Sequence, residues 1–493
     1  MKHPLILVIA ALCLAAAHVV CAQATAPPMA TPVTITVQPG ARQAFRGLGV
    51  SEFNYGSPGA GTFDQLTPAR RALLWDLIYR DLKIKTLRLW WNPEAFAPQP
   101  GWQDMAPFVS AFVAGHLLAD ARARGVTTLL LAPDRVPASM LSDPQDHNSR
   151  IRDTEIGSYV TLIATLIQRL KAEHGVAIDA TGIANEPPWF DPAQMVTAVK
   201  DLRAELDRRG LKRVMIVAPE NPNNDGTTDE YLKALKADPQ AWQALEGIAT
   251  HSYNMAPRPE EAAIVEGTDK EFWITEAGGG GLSLPGSETP IDPLEAASAA
   301  SRFLNDMNQR ATRWVWFIGV MDITRYPVDF DNVQRLIEFQ PQRSADWYAP
   351  LLKYYYLRRL SETFDVGAVF RHSVSSLEGE MTYTYGRKPR LNAAAARNPD
   401  GTWAVGLSNF TGEGFLQDTQ TNRDNAGYPP QFLTVTLQVP ELAGAGDITF
   451  RVHRNSAPLR DMDEGTVMMH NGQVTLTVAP TELVTLRSVK GIR

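Results

Sequence analysis

Residues 180–220 read ATGIANEPPWFDPAQMVTAVKDLRAELDRRGLKRVMIVAPE, and their pattern decides the architecture. A short β-rich run, "ATGIANE" (180–186), is followed by an amphipathic segment and then by a second β-rich run, "RVMIVAPE" (213–220). In the middle segment Asp191 is placed to cap and Pro192 suits a first helical turn. Met195, Val199, Leu202 and Leu206 then recur at helical spacing until Gly210. The other face carries Lys, Arg and Glu. This is a strand–helix–strand unit of the kind that joins parallel neighbours in a sheet.

The same alternation extends in both directions. Further short apolar runs occur at "AFRGLGVSE" (44–52), "IKTLRLWW" (84–91), "VTTLLLAP" (126–133), "EGIATHSY" (246–253), "EFWITEAG" (271–278) and "RWVWFIG" (313–319). With the two above they make eight, the number that closes a (β/α)8 TIM barrel. "TPARRALLWDLIYRDL" (67–82) repeats the helical logic with Leu74, Ile78 and Leu82. An open doubly wound sheet is disfavoured, because no glycine fingerprint opens a helix after the first strand. The barrel is expected over 46–363, ending in a helix at "DWYAPLLKYYYLRRL" (346–360).

Beyond residue 364 the period changes to two. "FLTVTLQV" sets Leu433, Val435, Leu437 and Val439 against Thr434, Thr436 and Gln438, and "DITFRVHR" and "QVTLTVAP" alternate likewise. An antiparallel β-sandwich over 364–493 follows. "VTITVQPG" (33–40) alternates too and is expected to join that sandwich as an edge strand, within a linker region spanning 25–45.

The first 24 residues combine Lys2, the apolar stretch "LILVIAALCLAAAHVV" and small residues at Ala22 and Ala24, the form of a secretory signal peptide. Export to the periplasm or beyond is the expectation. Both cysteines, Cys13 and Cys21, lie inside this segment, so no disulfide or thiolate chemistry is expected of the mature chain. A formal charge of -7 without basic runs excludes a nucleic-acid partner, and no membrane span is expected after signal removal. A monomer acting on carbohydrate fits the eleven Trp, some of them free to stack on sugar faces.

In a barrel of this kind the working groups sit at the carboxyl ends of strands. The runs end or nearly end in Asn185-Glu186, Glu220, His251 with Tyr253, and Glu276, while the second carries Arg88 and the eighth Trp316. Two carboxylates facing each other across the mouth are what glycoside hydrolysis needs: one protonates the leaving oxygen, the other attacks the anomeric carbon or activates water. Arg88 and Tyr253 are placed to keep Glu276 ionised. The neighbouring negative charge would then raise Glu186, leaving Asn185 free for a sugar hydroxyl.

"IANEP" (183–187) with "WITEAG" (273–278) resembles the clan A glycoside hydrolases. "FRGLGVSEFNYGSP", "LTPARRALLWDLIYRDLKIKTLRLW", "ATHSY" and "LLKYYYLRRLSETFDVGAVF" make the resemblance closest to glycoside hydrolase family 30. It implies a barrel fused to a sandwich that includes an N-terminal strand, a retaining mechanism, Glu186 as acid/base and Glu276 as nucleophile. It further implies Arg88 and Tyr253 as supports of the nucleophile and Asn185 as a sugar contact, and it is compatible with β-linked xylan, β-1,6-galactan, β-1,6-glucan or a glycosyl conjugate as substrate.

"EAGGGGLSLPGS" (276–287) lacks the Lys-Ser/Thr of a phosphate cradle, and His251 has no second His four residues on, so neither nucleotide nor metal is expected and no cofactor is invoked. Glu220 competes for a catalytic role, binds sugar hydroxyls, or simply begins the polar, turn-rich loop "PENPNNDG". Among Trp90, Trp91, Trp189, Phe190, Trp314 and Trp316, the mouth position is expected for Trp316, with Trp314 deeper. A catalytically idle carbohydrate-binding protein on the same fold remains the alternative.

Overall fold

The structure, a computed structural model, describes residues 30–52, 63, 66–97, 103–253, 255–278, 292–322, 335–340, 347–380, 390–412 and 429–490. The signal-like segment and most of the glycine-rich stretch after Glu276 lie outside the described residues. No described helix is long and apolar enough to cross a membrane.

The first described strand, β1 (Thr31–Val37), belongs to the second domain. The barrel follows, with eight parallel strands closing in chain order. They are β2 (Gly47–Glu52), β3 (Thr86–Trp91), β4 (Thr128–Pro133), β5 (Ala180–Thr181), β6 (Met215–Asn221), β7 (Gly247–Ser252), β8 (Glu271–Ala277) and β9 (Arg313–Trp316). Every one of the eight expected runs supplies a strand.

Alternation along each strand separates two cores. Leu130, Ala180, Val217, Ala249 and Trp273 meet inside the barrel, whereas Leu87, Leu89, Leu129, Leu131, Ile248 and Ile274 point outward under the helices. Below the inner cluster, Arg313 lies 4.4 Å from the Trp273 ring and donates to Thr128 Oγ1 at 3.1 Å.

The helix after β5 runs Pro192–Arg208, and a capping box starts it. Gln194 N–H donates to Asp191 Oδ1 at 2.9 Å, and Asp191 N–H donates back to Gln194 Oε1 at 3.1 Å. Met195, Val199, Leu202 and Leu206 are all buried. The helix expected over 67–82 begins at Pro68 and passes at Asp76 into a π-helical turn ending at Asp81.

The helix expected over 346–360 differs in its described part. Tyr348–Pro350 is instead β12, pairing with β11 (Ile337–Phe339), which lies beside β10 (Val320–Asp322); the helix occupies Leu352–Thr363. Pro350 explains the difference: it keeps Ala349 out of the α region and offers no N–H to an earlier turn.

The second domain is one ten-stranded, mostly antiparallel sheet. Its further strands are β13 (Val369–Arg371), β14 (Ser373–Ser375), β15 (Leu391–Arg397), β16 (Trp403–Asn409), β17 (Leu433–Gln438), β18 (Asp447–Asn455), β19 (Met462–His470), β20 (Gln473–Val478) and β21 (Leu483–Ser488). Its order is β13-β15-β16-β21-β18-β19-β20-β17-β1-β14. Val33, Ile35, Val405, Leu407, Val435, Leu437, Val484 and Leu486, from distant parts of that order, share one core, so the sheet folds over itself as a sandwich. β1 is not an edge strand: it runs parallel to β17 on one side and antiparallel to β14 on the other. The short β14 takes the edge.

The opposite face of β15 and β16 is lined with small residues because the barrel's helices press on it. Ala394, Ala396 and Ala404 belong to the barrel's core, and Ser301 donates to Ser408 Oγ at 3.0 Å. A Cβ on Gly406 would lie 2.7 Å from Leu304 Cδ2. Gly406→Val is therefore expected to overpack this junction and destabilise the protein by about 1–3 kcal/mol. A lowered thermal midpoint with an unchanged far-ultraviolet dichroism spectrum is the expected observation.

Candidate active site

Two bulges build the upper layer of the barrel. In β8 the register to β9 advances by three residues, Ile274 to Ala277, while β9 advances by two, Trp314 to Trp316. The extra residue breaks the alternation that puts Trp273 inside and turns Glu276 inward, opposite His251. In β6 the pairing with β7 likewise skips Glu220, which adopts φ +64 and swings its carboxylate inside.

Glu220 in turn explains why the run 180–186 pairs only at Ala180–Thr181. A Cβ at Gly182 would lie 1.7 Å from Glu220 Oε2, so the chain there must be glycine. The backbone continues through Asn185, whose N–H donates to Pro133 O at 2.7 Å, to Glu186 at φ +43, whose N–H donates to Glu220 O at 3.1 Å. Two non-glycine residues with positive φ, each at a cost of about 1–3 kcal/mol, are thus tied to one another. Tyr159 supports the segment from the helix Ile156–His174 by donating to Ile183 O at 2.8 Å.

Arg88 on β3 is the hub. Fully buried, it donates from Nη1 to Glu276 Oε1, and from Nη2 to Asn185 Oδ1 at 2.7 Å and Glu220 Oε1 at 3.2 Å. Tyr253 donates to the other Glu276 oxygen at 2.6 Å. His251, also fully buried, places Nδ1 3.0 Å from Glu186 Oε1 and 3.6 Å from Glu276 Oε2. One donor atom from each of Glu186, His251 and Glu276 lies within 4.8 Å of the others. That proximity would admit a metal ion, but both Glu276 oxygens already accept hydrogen bonds and His251 Nδ1 already faces Glu186. The arrangement is one for moving protons and placing charge.

Burial raises both carboxyls above the ordinary range, with different opposition. On Glu276 the lift is countered by His251, by Arg88 and by the Tyr253 hydroxyl, while the Glu186 charge adds to it. On Glu186 burial is countered only by the field of Arg88. The neighbouring carboxylate is therefore not what lifts Glu186; desolvation is. Glu186 keeps 39 % of its side chain exposed, against 3 % for Glu276. His251 is pushed down to about 4, first by burial, with Arg88 adding to the effect and Glu276 and Glu220 opposing it, and is neutral near pH 7.

Of the expected residues, Glu186, Glu276, Arg88, Asn185, His251 and Tyr253 converge here. Glu220 does converge, but beneath the site: it is fully buried and paired with Arg88, so it does not reach a sugar hydroxyl. Trp316 is not at the mouth. Arg313 and Val315 face the barrel interior, so Trp314 and Trp316 both point outward, their rings 5.7 Å apart, with Lys353 Nζ 5.8 Å from the Trp316 ring. Phe317, one residue on, packs edge-on to Tyr253 and 5.9 Å from Trp90. The sequence reading also missed Arg302. From the helix Asp292–Asn308 it donates to the carbonyl oxygens of Ser252 and Tyr253, the latter at 2.8 Å, and so fixes the turn that carries Tyr253. A buried Arg inside a helical apolar stripe was the available signal.

The model of glycosyl hydrolase family 59 matches residues 144–327, a span that contains both Glu186 and Glu276. No curated protein matches the chain. Among solved structures, SrfJ from Salmonella typhimurium shares 15 % identity at a TM-score of 0.66, with 92 % of each chain covered. The catalytic domain of GH30 xylanase C from Talaromyces cellulolyticus shares 18 % at 0.64, covering 93 % of this chain and 100 % of that one. An endo-β-1,6-glucanase shares 18 % at 0.62, covering 93 % and 94 %. The fold is that of clan A, family 30-like glycoside hydrolases. The likeness runs through both domains, as the coverage requires.

Removing the hub should be costly. Arg88→Met would leave Glu276 and Glu220 buried without their guanidinium, with an expected loss of about 3–5 kcal/mol, measured by denaturant unfolding. Gly182→Ala should fail to accumulate as folded protein, since its methyl group would displace Glu220 from Arg88.

Proposed function

We propose that the protein is an exported retaining glycoside hydrolase that cleaves β-linkages of a polysaccharide or oligosaccharide by double displacement. The observation that carries this reading is the pair Glu186 and Glu276, delivered by the fourth and seventh barrel strands with carboxylate oxygens within 4.8 Å. Retaining enzymes hold their carboxyls at about 5–5.5 Å and inverting ones at about 6.5–9.5 Å, the latter leaving room for water between them. The closer spacing favours direct attack.

In the first step Glu276, oriented by Arg88 and Tyr253, attacks the anomeric carbon while Glu186 gives its proton to the departing oxygen. In the second step Glu186, now ionised, takes a proton from water, which attacks the glycosyl–Glu276 ester and returns Glu276 as carboxylate. Neutral His251 accompanies both steps by sharing a hydrogen bond with Glu186 in whichever protonation state it holds. Asn185, fixed by Arg88, offers its amide N–H to a sugar hydroxyl. The xylanase and endo-β-1,6-glucanase among the similar structures make β-linked xylan and β-1,6-glucan the first substrates to try, with β-1,6-galactan beside them.

On aryl β-glycosides and these glycans, Glu276→Gln should lower kcat/KM by at least about 10³-fold and Glu186→Gln by about 10²–10⁴-fold. Unchanged hydrolysis in both variants would sink the mechanism. The pH dependence follows from the directions of the shifts. The alkaline limb, where Glu186 loses its proton, should lie above the ordinary carboxylate range, and the acid limb, where Glu276 gains one, should also be displaced upward. The alkaline limb should disappear from the residual activity of Glu186→Gln.

A further inference from the structure

One carboxylate at the rim has no part in the steps above. The residues of β4 that face the barrel interior are Thr128, Leu130 and Ala132. The ladder does not stop at Pro133, because Asp134 N–H donates to Trp91 O at 2.7 Å on one side while Pro133 O accepts from Asn185 on the other. Alternation therefore carries Asp134 to the interior side, one layer above Ala132, on the strand next to the one that delivers Asn185-Glu186. Its carboxyl lies close enough to feel both Arg88 and Glu186.

Asp134 is only 23 % exposed, and its one close polar partner among the described residues is a side chain at the surface. That partner, Arg135, sets Nε 3.6 Å from Asp134 Oδ2 and counters the upward pull of burial on the carboxyl, but it is itself 53 % exposed. Every other carboxylate of this layer has a partner from within the barrel: Glu276 has Arg88 and Tyr253, Glu220 has Arg88, and Glu186 has His251 at hydrogen-bond distance. A carboxylate in such a layer whose one partner is a surface side chain is matched to something that brings donors from the open side.

We propose that Asp134 is a substrate-binding residue whose carboxylate accepts hydrogen bonds from two adjacent hydroxyls of the sugar ring that presents its anomeric carbon to Glu276. This rests on the glycosidase reading and narrows its substrate. The two oxygens of a carboxylate match a pair of neighbouring hydroxyl donors. They repel a ring that carries its own carboxylate, so the site takes a neutral hexosyl or pentosyl unit and rejects a uronic acid there.

The test compares wild type with Asp134→Ala on the best 4-nitrophenyl β-glycoside and its monodeoxy analogues. Asp134→Asn, which keeps the shape and removes the charge, is carried alongside so that misfolding of the alanine variant is not mistaken for a lost contact. In wild type, deleting a hydroxyl held by Asp134 should lower kcat/KM by about 10- to 100-fold. In Asp134→Ala that penalty should shrink to within about threefold, while penalties at the remaining hydroxyls persist. Equal penalties in both proteins at every position, with or without a displaced pH profile, overturn the assignment and leave Asp134 as a charge that tunes Glu186. Failure of the glycosidase reading would look different, with no glycoside hydrolysed by wild type. Calorimetric titration with β-1,4-xylotriose and β-1,6-glucotriose then decides: weaker binding by Asp134→Ala supports the contact, and indistinguishable binding, nil in both included, overturns it.

Discussion

A single guanidinium inside a closed barrel organises this molecule. Removing Arg88 from water is expensive, and the expense is recovered only if its donors meet anionic or strongly polar acceptors at good geometry. Those acceptors come from three different strands or strand ends: Asn185 after β5, Glu220 on β6 and Glu276 on β8. The barrel can close around the charge only with these strands in the register observed. The ion pairs thus act as a registration device as much as a source of stability, and they hold Glu276 with almost no freedom to move.

The backbone has adapted to that demand. Regular alternation would send Glu276 outward into the helix layer, and the bulge in β8 reverses this. The bulge in β6 does the same for Glu220, at φ +64, and Gly182 leaves the space its carboxylate occupies. Glu186 then takes φ +43 while bonded through its N–H to Glu220 O. Strain at the rim is sustained because buried hydrogen bonds on every side specify one conformation. A layer made this way is pre-organised, so little of it needs to rearrange when a ligand arrives.

Much of this was legible in the sequence, for reasons that differ by element. The eight strands were legible because parallel strands covered on both faces are short β-rich runs, and the helix from Pro192 because its cap and apolar stripe are local signals. The residues that close those runs could be nominated because strand ends face the mouth. What could not be read was any consequence of an irregular step. Trp316 was assigned to the mouth by its place at a run's end, but its face depends on Arg313 and Val315 pointing inward. Glu220 was left open between a catalytic role, a sugar contact and the start of a polar loop, because no sequence pattern announces a bulge that folds it beneath Arg88. Arg302 was missed since its target is a pair of backbone carbonyls on another element. In the second domain, the interior place of β1 depends on β14, a three-residue strand too short to carry a period.

The division of labour proposed for the two carboxyls rests on where solvent reaches. Both are lifted by burial, so burial alone does not distinguish an acid from a nucleophile. Glu276 is enclosed to 3 % and has both oxygens engaged, one by a cation and one by a phenol, so its charge is compensated without water. Glu186 keeps 39 % exposure, and its partner at hydrogen-bond distance is His251, a neutral ring that can donate to a carboxylate or accept from a carboxylic acid. In the proposed mechanism Glu186 releases a proton, recovers one and stands aside for a departing chain, which needs that tolerance of either state and that open side. The two environments are set by the same cation: Arg88 contacts Glu276 directly and reaches Glu186 only through its field. One buried charge, placed off-centre between two acids, is sufficient to make them unequal.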